Sequence, residues 1–149
     1  GEGIDYYQHL PHPYLPKNNY LATLEELLMV KGYTPEIFET IAPFITVYGT
    51  DGRININTAR REVIMALSEE MTEDLAQRII DARNDTPFKD KSDIMQVTGF
   101  ETIGFTLQDR ITVDSAIFRV FAVARTADAV REVEAVIQLD GGVLYWRER

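Results

Sequence analysis

None of the 149 residues is cysteine. That absence excludes disulfide frameworks, thiolate chemistry and cysteine-based zinc sites, and leaves the compartment open. Histidine is scarce. His9 and His12 are the only two, and the helix on which their spacing could serve a metal is forbidden by Pro11 and Pro13. They read as surface residues. No apolar run approaches the length of a membrane span and no signal peptide heads the chain. The start at Gly1 is read as that of a processed or trimmed product, expected as a soluble piece. Basic charge is short as well. Fifteen Lys and Arg face 24 Asp and Glu, for a net charge of −9, with −4 in each of residues 1–50 and 51–105 and −1 in 106–149. No segment supplies the basic footprint by which nucleic-acid binders neutralise phosphates, so that class is discounted.

The patterns of catalysis are missing too. Gly-x-Ser-x-Gly, the Walker loop and His-Glu-x-x-His do not occur. Acidic pairs such as Glu69-Glu70 and Glu73-Asp74 read as solvated helix ends. Asp51, Asn55 and Asn57 have a superficial likeness to a calcium loop, but their spacing fails the EF-hand pattern. No catalytic, metal-binding or cofactor-binding residue is expected, and the chain is read as a non-enzyme.

What is present is apolar patterning, with 45% hydrophobic residues, enough for one or two small domains with a core. The stretch from Gly52 to Phe100 organises the rest. It opens with the alternating strand Arg53-Ile54-Asn55-Ile56, after which Asn57-Thr58 is expected to cap a helix. Val63, Ile64 and Leu67 give that helix its apolar stripe. Thr72 caps the next, with Glu73 and Asp74 in its first turn and Leu75, Ala76, Ile79 and Ile80 facing inward. Two short helices so connected must pack antiparallel or crossed. This is a helix-hairpin-helix layout.

Such modules hold phosphates with backbone N–H groups of a glycine-rich turn at a helix N-terminus. Here the turn is Ser68-Glu69-Glu70-Met71-Thr72, with no glycine and two carboxylates where phosphate would sit. A second candidate, Val97-Thr98-Gly99-Phe100-Glu101, has one glycine with an acid just behind it. Like charge opposes the contact, so the hairpin is read as a structural unit with no phosphate site.

Ahead of it, Pro11, Pro13 and Pro16 favour an extended path for residues 1–20, and the aromatics Tyr6, Tyr7, Tyr14 and Tyr20 suggest that the path is docked on the surface. Tyr6, Tyr7 and Tyr14 are the candidate partner-binding residues. Thr23-Leu24-Glu25-Glu26 is a capping box, Gly32 ends its helix, and Thr34-Pro35 starts another that Pro43 stops. Residues 44–48 are β-rich, and Gly49-Thr50-Asp51-Gly52 is a turn. An internal echo links these flanks. Residues 27–33 match 94–100, Phe38 answers Phe105, and Ile45-Thr46-Val47 answers Ile111-Thr112-Val113, as similar local packing or an old duplication would give.

The last third changes character. Ile117 to Arg125 is strand-like on both faces, residues 132–139 alternate, Asp140-Gly141-Gly142 is a turn, and Val143 to Arg147 is a final strand. They read as an antiparallel meander, with Trp146 in the core or on a sheet face. The class is α+β. Residues 1–19 form an extended segment docking on the sheet, 20–112 a helical domain with internal strands near 44–48 and 53–56, and 113–149 the meander.

The Ile-Asn-Thr-Ala opening and Pro-Phe-Lys exit of the central stretch resemble helix-hairpin-helix modules of competence-type DNA-uptake proteins. They also resemble the type II secretion system minor pseudopilin K. Tyr7, Leu10-Pro11, Pro13-Tyr14, Lys17-Asn18, Leu24 to Leu28, Val30-Lys31-Gly32 and Thr34-Pro35-Glu36 resemble that family's stretch ahead of the hairpin. Thr46 to Gly49, Phe118-Arg119-Val120 and Tyr145 to Glu148 continue the likeness across nearly the whole chain. The DNA-uptake proteins share only the middle, and DNA binding remains the alternative reading. The pseudopilin resemblance implies a pilin-like sheet with an inserted helical domain, and an inner-membrane anchor helix that is absent here. It implies a periplasmic place at the tip of a pseudopilus, where the subunit helps initiate assembly with minor pseudopilins I and J. Nucleic acid is not expected. Some relatives bind calcium, but no motif here carries ligands for it.

Overall fold

A computed structural model describes residues 3–49 and 51–149. Gly1, Glu2 and Thr50 lie outside the described residues, so part of the expected extended segment and part of the turn at 49–52 are not covered. The chain divides into two compact units, the first ending at Val47 and the second running from Tyr48 to Arg149. The boundary falls inside residues 20–112, the stretch read as one helical domain.

The first unit begins with a helix where the sequence suggests an extended path. α1 spans Gly3–Gln8. It fits because the prolines start only at Pro11, beyond its last turn, and their restriction acts on themselves and the residue before. A 3-10 helix follows at Leu24–Met29, then α2 at Pro35–Ile41. Thr34 caps α2 as its sequence suggests, its hydroxyl accepting from Ile37 N–H at 3.3 Å with Pro35 in the first turn. The box at Thr23 is incomplete. Thr23 makes no side-chain cap bond, and Glu26 accepts from Ala22 N–H at 3.3 Å while pairing with Lys17 at 3.2 Å. Residues 44–48 are not a strand: a short 3-10 turn, Ala42–Phe44, runs into irregular chain. Strand composition alone does not make a strand, because a β-rich run is set by its tertiary context.

The second unit holds the continuous core. β1 (Ile54–Asn55) pairs in parallel with β2 (Ile111–Thr112), in register Ile54 to Ile111. Between them lie α3 (Arg61–Met65), α4 (Glu73–Asp85), a 3-10 helix at Lys91–Gln96 and α5 (Ile103–Leu107). Ile64 and Leu67 on one side and Ala76 and Ile79 on the other close the hairpin. Ile56, Met71, Phe88, Ile94, Phe100, Ile103, Leu107 and Ile111 complete the cluster of buried residues. Thr72 caps α4 by accepting from Leu75 N–H at 3.2 Å.

A three-stranded antiparallel sheet ends the chain, β3 (Ile117–Arg125), β4 (Val130–Gln138) and β5 (Val143–Glu148), in the order β3-β4-β5. Gly141 turns the second hairpin at φ +92°, a conformation that suits glycine. The fold class is α+β, helices first and meander last, as the sequence suggests. Among the described residues no helix is long and apolar enough to cross a membrane.

Candidate functional site

The opening motif Ile54-Asn55-Ile56-Asn57-Thr58-Ala59 is the part whose role is most changed by the structure. α3 starts only at Arg61, and Asn57 and Thr58 do not cap it. The Asn57 amide turns inward and clamps two distant segments. Its Nδ2 donates to the carbonyls of Phe88 at 2.9 Å and Val113 at 2.8 Å, and its Oδ1 accepts from Phe88 N–H at 2.9 Å. Asn55 Oδ1 accepts from Asn57 N–H at 2.9 Å, while its Nδ2 donates to Ser115 Oγ at 2.8 Å. Arg83, near the end of α4, donates to the carbonyls of Ile56 and Ala59 at 2.8 and 2.7 Å. A side-chain amide has donors and an acceptor, so one asparagine can satisfy both backbone groups of Phe88. The motif is a structural staple between the hairpin, its Pro87-Phe88-Lys89 exit and the segment leading to the sheet.

The turn between α3 and α4 is engaged with itself. Ser68 Oγ accepts from Glu70 N–H at 3.2 Å, and the Ser68 carbonyl accepts from Met71 N–H at 3.0 Å. Arg110 donates to the Leu67 carbonyl at 2.9 Å. The second candidate turn is closed in the same way. Glu101 accepts from Gly99 N–H at 3.3 Å, so a carboxylate stands where phosphate would have to sit. Glu101 is held below the usual carboxylate range by its own backbone N–H and that of Gly99, with help from Arg78. Arg78 is itself bound to Asp74 at 2.7 Å and to the Thr98 carbonyl at 3.1 Å. In both turns backbone donors of the kind that such modules aim at phosphate are engaged internally, at Glu70, Met71 and Gly99.

A polar box unrecognised in the sequence sits at Lys91–Gln96. Asp90 Oδ1 accepts from Ser92 N–H at 2.8 Å, and Asp93 accepts from Asp90 and Lys89 N–H, both at 3.0 Å. The signal was present as Asp-x-x-Asp, but the capping rule prefers Ser or Thr followed by Glu or Gln.

The structure gathers all three candidate tyrosines. Tyr6 and Tyr7 meet edge to face with centroids 5.2 Å apart, and Tyr7 and Tyr14 are also 5.2 Å apart. Lys31 N–H donates to Tyr7 Oη at 3.1 Å, the Lys31 ammonium lies 4.5 Å above the Tyr6 ring, and Tyr14 Oη donates to the Met29 carbonyl. Partial desolvation, then the neighbouring Tyr7 and Tyr6, push the Tyr14 phenol above its ordinary pKa. Tyr7 and Tyr14, with Leu15, Met29 and Val30, line a groove of about 840 Å³. His9 is tied locally, Nδ1 lying 2.6 Å from the Asp5 carbonyl. Among the described residues, no three His, Asp or Glu side chains are placed to hold a metal ion.

The sheet adds a surface not singled out in the sequence. Register puts Phe118, Val120, Val133, Ile137 and Trp146 on one face, with Phe118, Val120 and Trp146 exposed. Its signal was the apolar content of both faces of Ile117 to Arg125. Patches of this kind mark interaction surfaces on soluble proteins.

The fold is thus a stapled helical hairpin leading into an antiparallel sheet, with apolar and aromatic surface exposed and the phosphate turns closed. Two family models, both described as type II secretion system protein K, match residues 1–50 and 54–114. The chain belongs to the type II secretion system protein K family. It is similar to type II secretion system protein K of Aeromonas hydrophila, 24% identical over 144 residues, covering 88% of this chain and 41% of that protein. It is also similar to a chain in the crystal structure of the GspK-GspI-GspJ complex from the enterotoxigenic Escherichia coli type 2 secretion system. That likeness has a TM-score of 0.75 at 18% identity and covers 99% of this chain and 55% of that one. The chain therefore spans less than half the length of the curated relative and about half that of the solved chain.

Proposed function

We propose that this chain is part of a non-enzymatic structural subunit at the tip of the type II secretion pseudopilus. It assembles there with minor pseudopilins I and J and helps initiate pseudopilus assembly for protein secretion across the outer membrane. The observation that carries this reading is the likeness across 99% of the chain to a chain solved together with GspI and GspJ. The closed turns at Ser68–Met71 and Gly99–Glu101 support a scaffolding role for the hairpin over DNA binding. The tyrosine cluster Tyr6, Tyr7 and Tyr14 is the proposed partner surface, since aromatic anchors beside an apolar groove suit a protein interface. The natural protein is a periplasmic domain held to the inner membrane by a helix outside this stretch.

Cells that lack the natural-length protein test the tip role. Pseudopilus assembly is expected to fail without it and to recover when it is restored. Normal assembly in its absence would rule out an initiating subunit.

A further inference from the structure

β3 has the composition of a strand buried on both sides, yet it lies open. Of Ile117–Arg125 only Arg119 and Arg125 are polar, whereas an antiparallel strand with one face in water alternates apolar and polar residues. Every residue of β3 after Ile117 is exposed.

The two faces of the sheet differ in charge. On the face of Phe118 and Trp146 the charged side chains are Arg131 and Glu148, which pair with each other at 4.0 Å. The opposite face carries Arg119, Arg125, Arg147 and Arg149 against Glu132 and Glu134, a net charge of +2. The chain as a whole has a net charge of −9, so this face stands out. Arg119 lies 3.9 Å from Glu134, while Arg125, Arg147 and Arg149 form no ion pair with a described residue.

The arginines surround an apolar centre. Phe121 stands in one row with Glu134 and Arg147, and Val123 in the next with Glu132 and Arg149. Phe121 and Val123 are 68% and 53% exposed, and these rows line a hollow of about 180 Å³. That is below the roughly 300 Å³ at which small-molecule pockets begin, and it suits a single inserted side chain. Arginine and aromatic residues are the usual anchors of protein interfaces. A phosphate-rich surface, whether nucleic acid or lipid, would meet Glu132 and Glu134 at the same hollow and be repelled there. A protein segment can set carboxylates against the arginines and an apolar side chain between the glutamates.

We propose that this face of the sheet docks an acidic segment of a partner protein. The segment places an aliphatic or aromatic side chain in the hollow beside Phe121 and carboxylates against Arg125 and Arg147. This surface belongs to the second unit and the tyrosine cluster to the first, so it stands whether or not the tip role does.

The test uses the natural-length protein in cells of its source, with the photocrosslinker p-benzoylphenylalanine in place of Phe121. Crosslinked species are identified by mass spectrometry. The expected product joins position 121 to a protein segment rich in Asp and Glu. Its yield is expected to fall roughly tenfold or more in Arg147→Glu and to persist in Arg147→Lys. Replacing the facing carboxylate of the crosslinked segment by lysine is expected to restore it in Arg147→Glu. Arg125→Glu is a second variant with the same expected loss, and an unchanged thermal transition confirms that each variant folds. Crosslinking to lipid or to nucleic acid would overturn the proposal. So would crosslinking only within the chain itself, which would mean that the protein covers this face from inside. The absence of any crosslink, or a protein crosslink that neither charge reversal weakens, would overturn it as well.

Discussion

Asn57 closes on the backbone of Phe88 from both sides, its Nδ2 donating to the carbonyl and its Oδ1 accepting from the N–H, each at 2.9 Å. The same Nδ2 reaches Val113, so a single side chain ties the start of the hairpin, its exit and the segment before the sheet. Replacement by alanine removes three bonds and leaves half-buried backbone groups unpaired. The expected loss is about 2–4 kcal/mol, read by urea unfolding. Asn57→Asp is expected to lose at least as much, because a carboxylate cannot donate to the two carbonyls. Wild-type stability in Asn57→Ala would show that the clamp contributes nothing.

This relationship also marks what a sequence can and cannot reveal. The stripes of α3 and α4, the Thr72 and Thr34 caps and the strand Ile117 to Arg125 rest on local rules, and local rules place them well. Asn57 follows the same local rule for a cap, yet its amide is drawn to Phe88, 31 residues away. Ile45 to Val47 has strand composition, but a strand needs a neighbour, and neighbours are set by tertiary contacts. Residues 3–8 form a helix because proline punctuation begins only at residue 11. The three tyrosines were legible as candidates from their density. Their mutual packing, and the closing of the phosphate turns by Ser68 and Glu101, belong to three-dimensional placement.

The paired glycines provide a second test. Gly32 and Gly99 share φ +94°, but a Cβ at Gly32 meets nothing within 4 Å, whereas one at Gly99 comes within 2.9 Å of Leu75 Cδ2. Gly32→Ala is expected to cost about 1–2 kcal/mol from backbone strain alone. Gly99→Ala is expected to cost more, since Leu75 must also move. Hydrogen exchange resolves the two units. Equal losses would mean that the contact with Leu75 relaxes freely.

Acidification should reveal the carboxylates that close the turns. The folded pKa values of Glu101 and Asp90 are lowered from their ordinary 4.5 and 3.8 by hydrogen bonds from their own turns. Their contribution is therefore present above the unfolded-state pKa and lost as the pH falls through the lowered folded value. Thermal stability is expected to decline below about pH 4.5, and Glu101→Gln should flatten that decline while leaving a shallower acid limb from Asp90. An acid limb unchanged in Glu101→Gln would remove Glu101 from the account.

The closed turns make a prediction about nucleic acid. In low-salt fluorescence anisotropy, labelled duplex DNA is expected to show no salt-sensitive binding to this chain. A saturable shift that weakens with salt would restore a DNA-binding role to the hairpin.

The most direct measurement is a co-purification titration of this chain with the soluble domains of minor pseudopilins I and J from the same source, read by size exclusion with light scattering. The account predicts a stable complex of defined stoichiometry, weakened by Tyr6→Ala if the tyrosine cluster forms part of the contact. Failure to form a complex across salt and calcium conditions, with each partner folded, would contradict it.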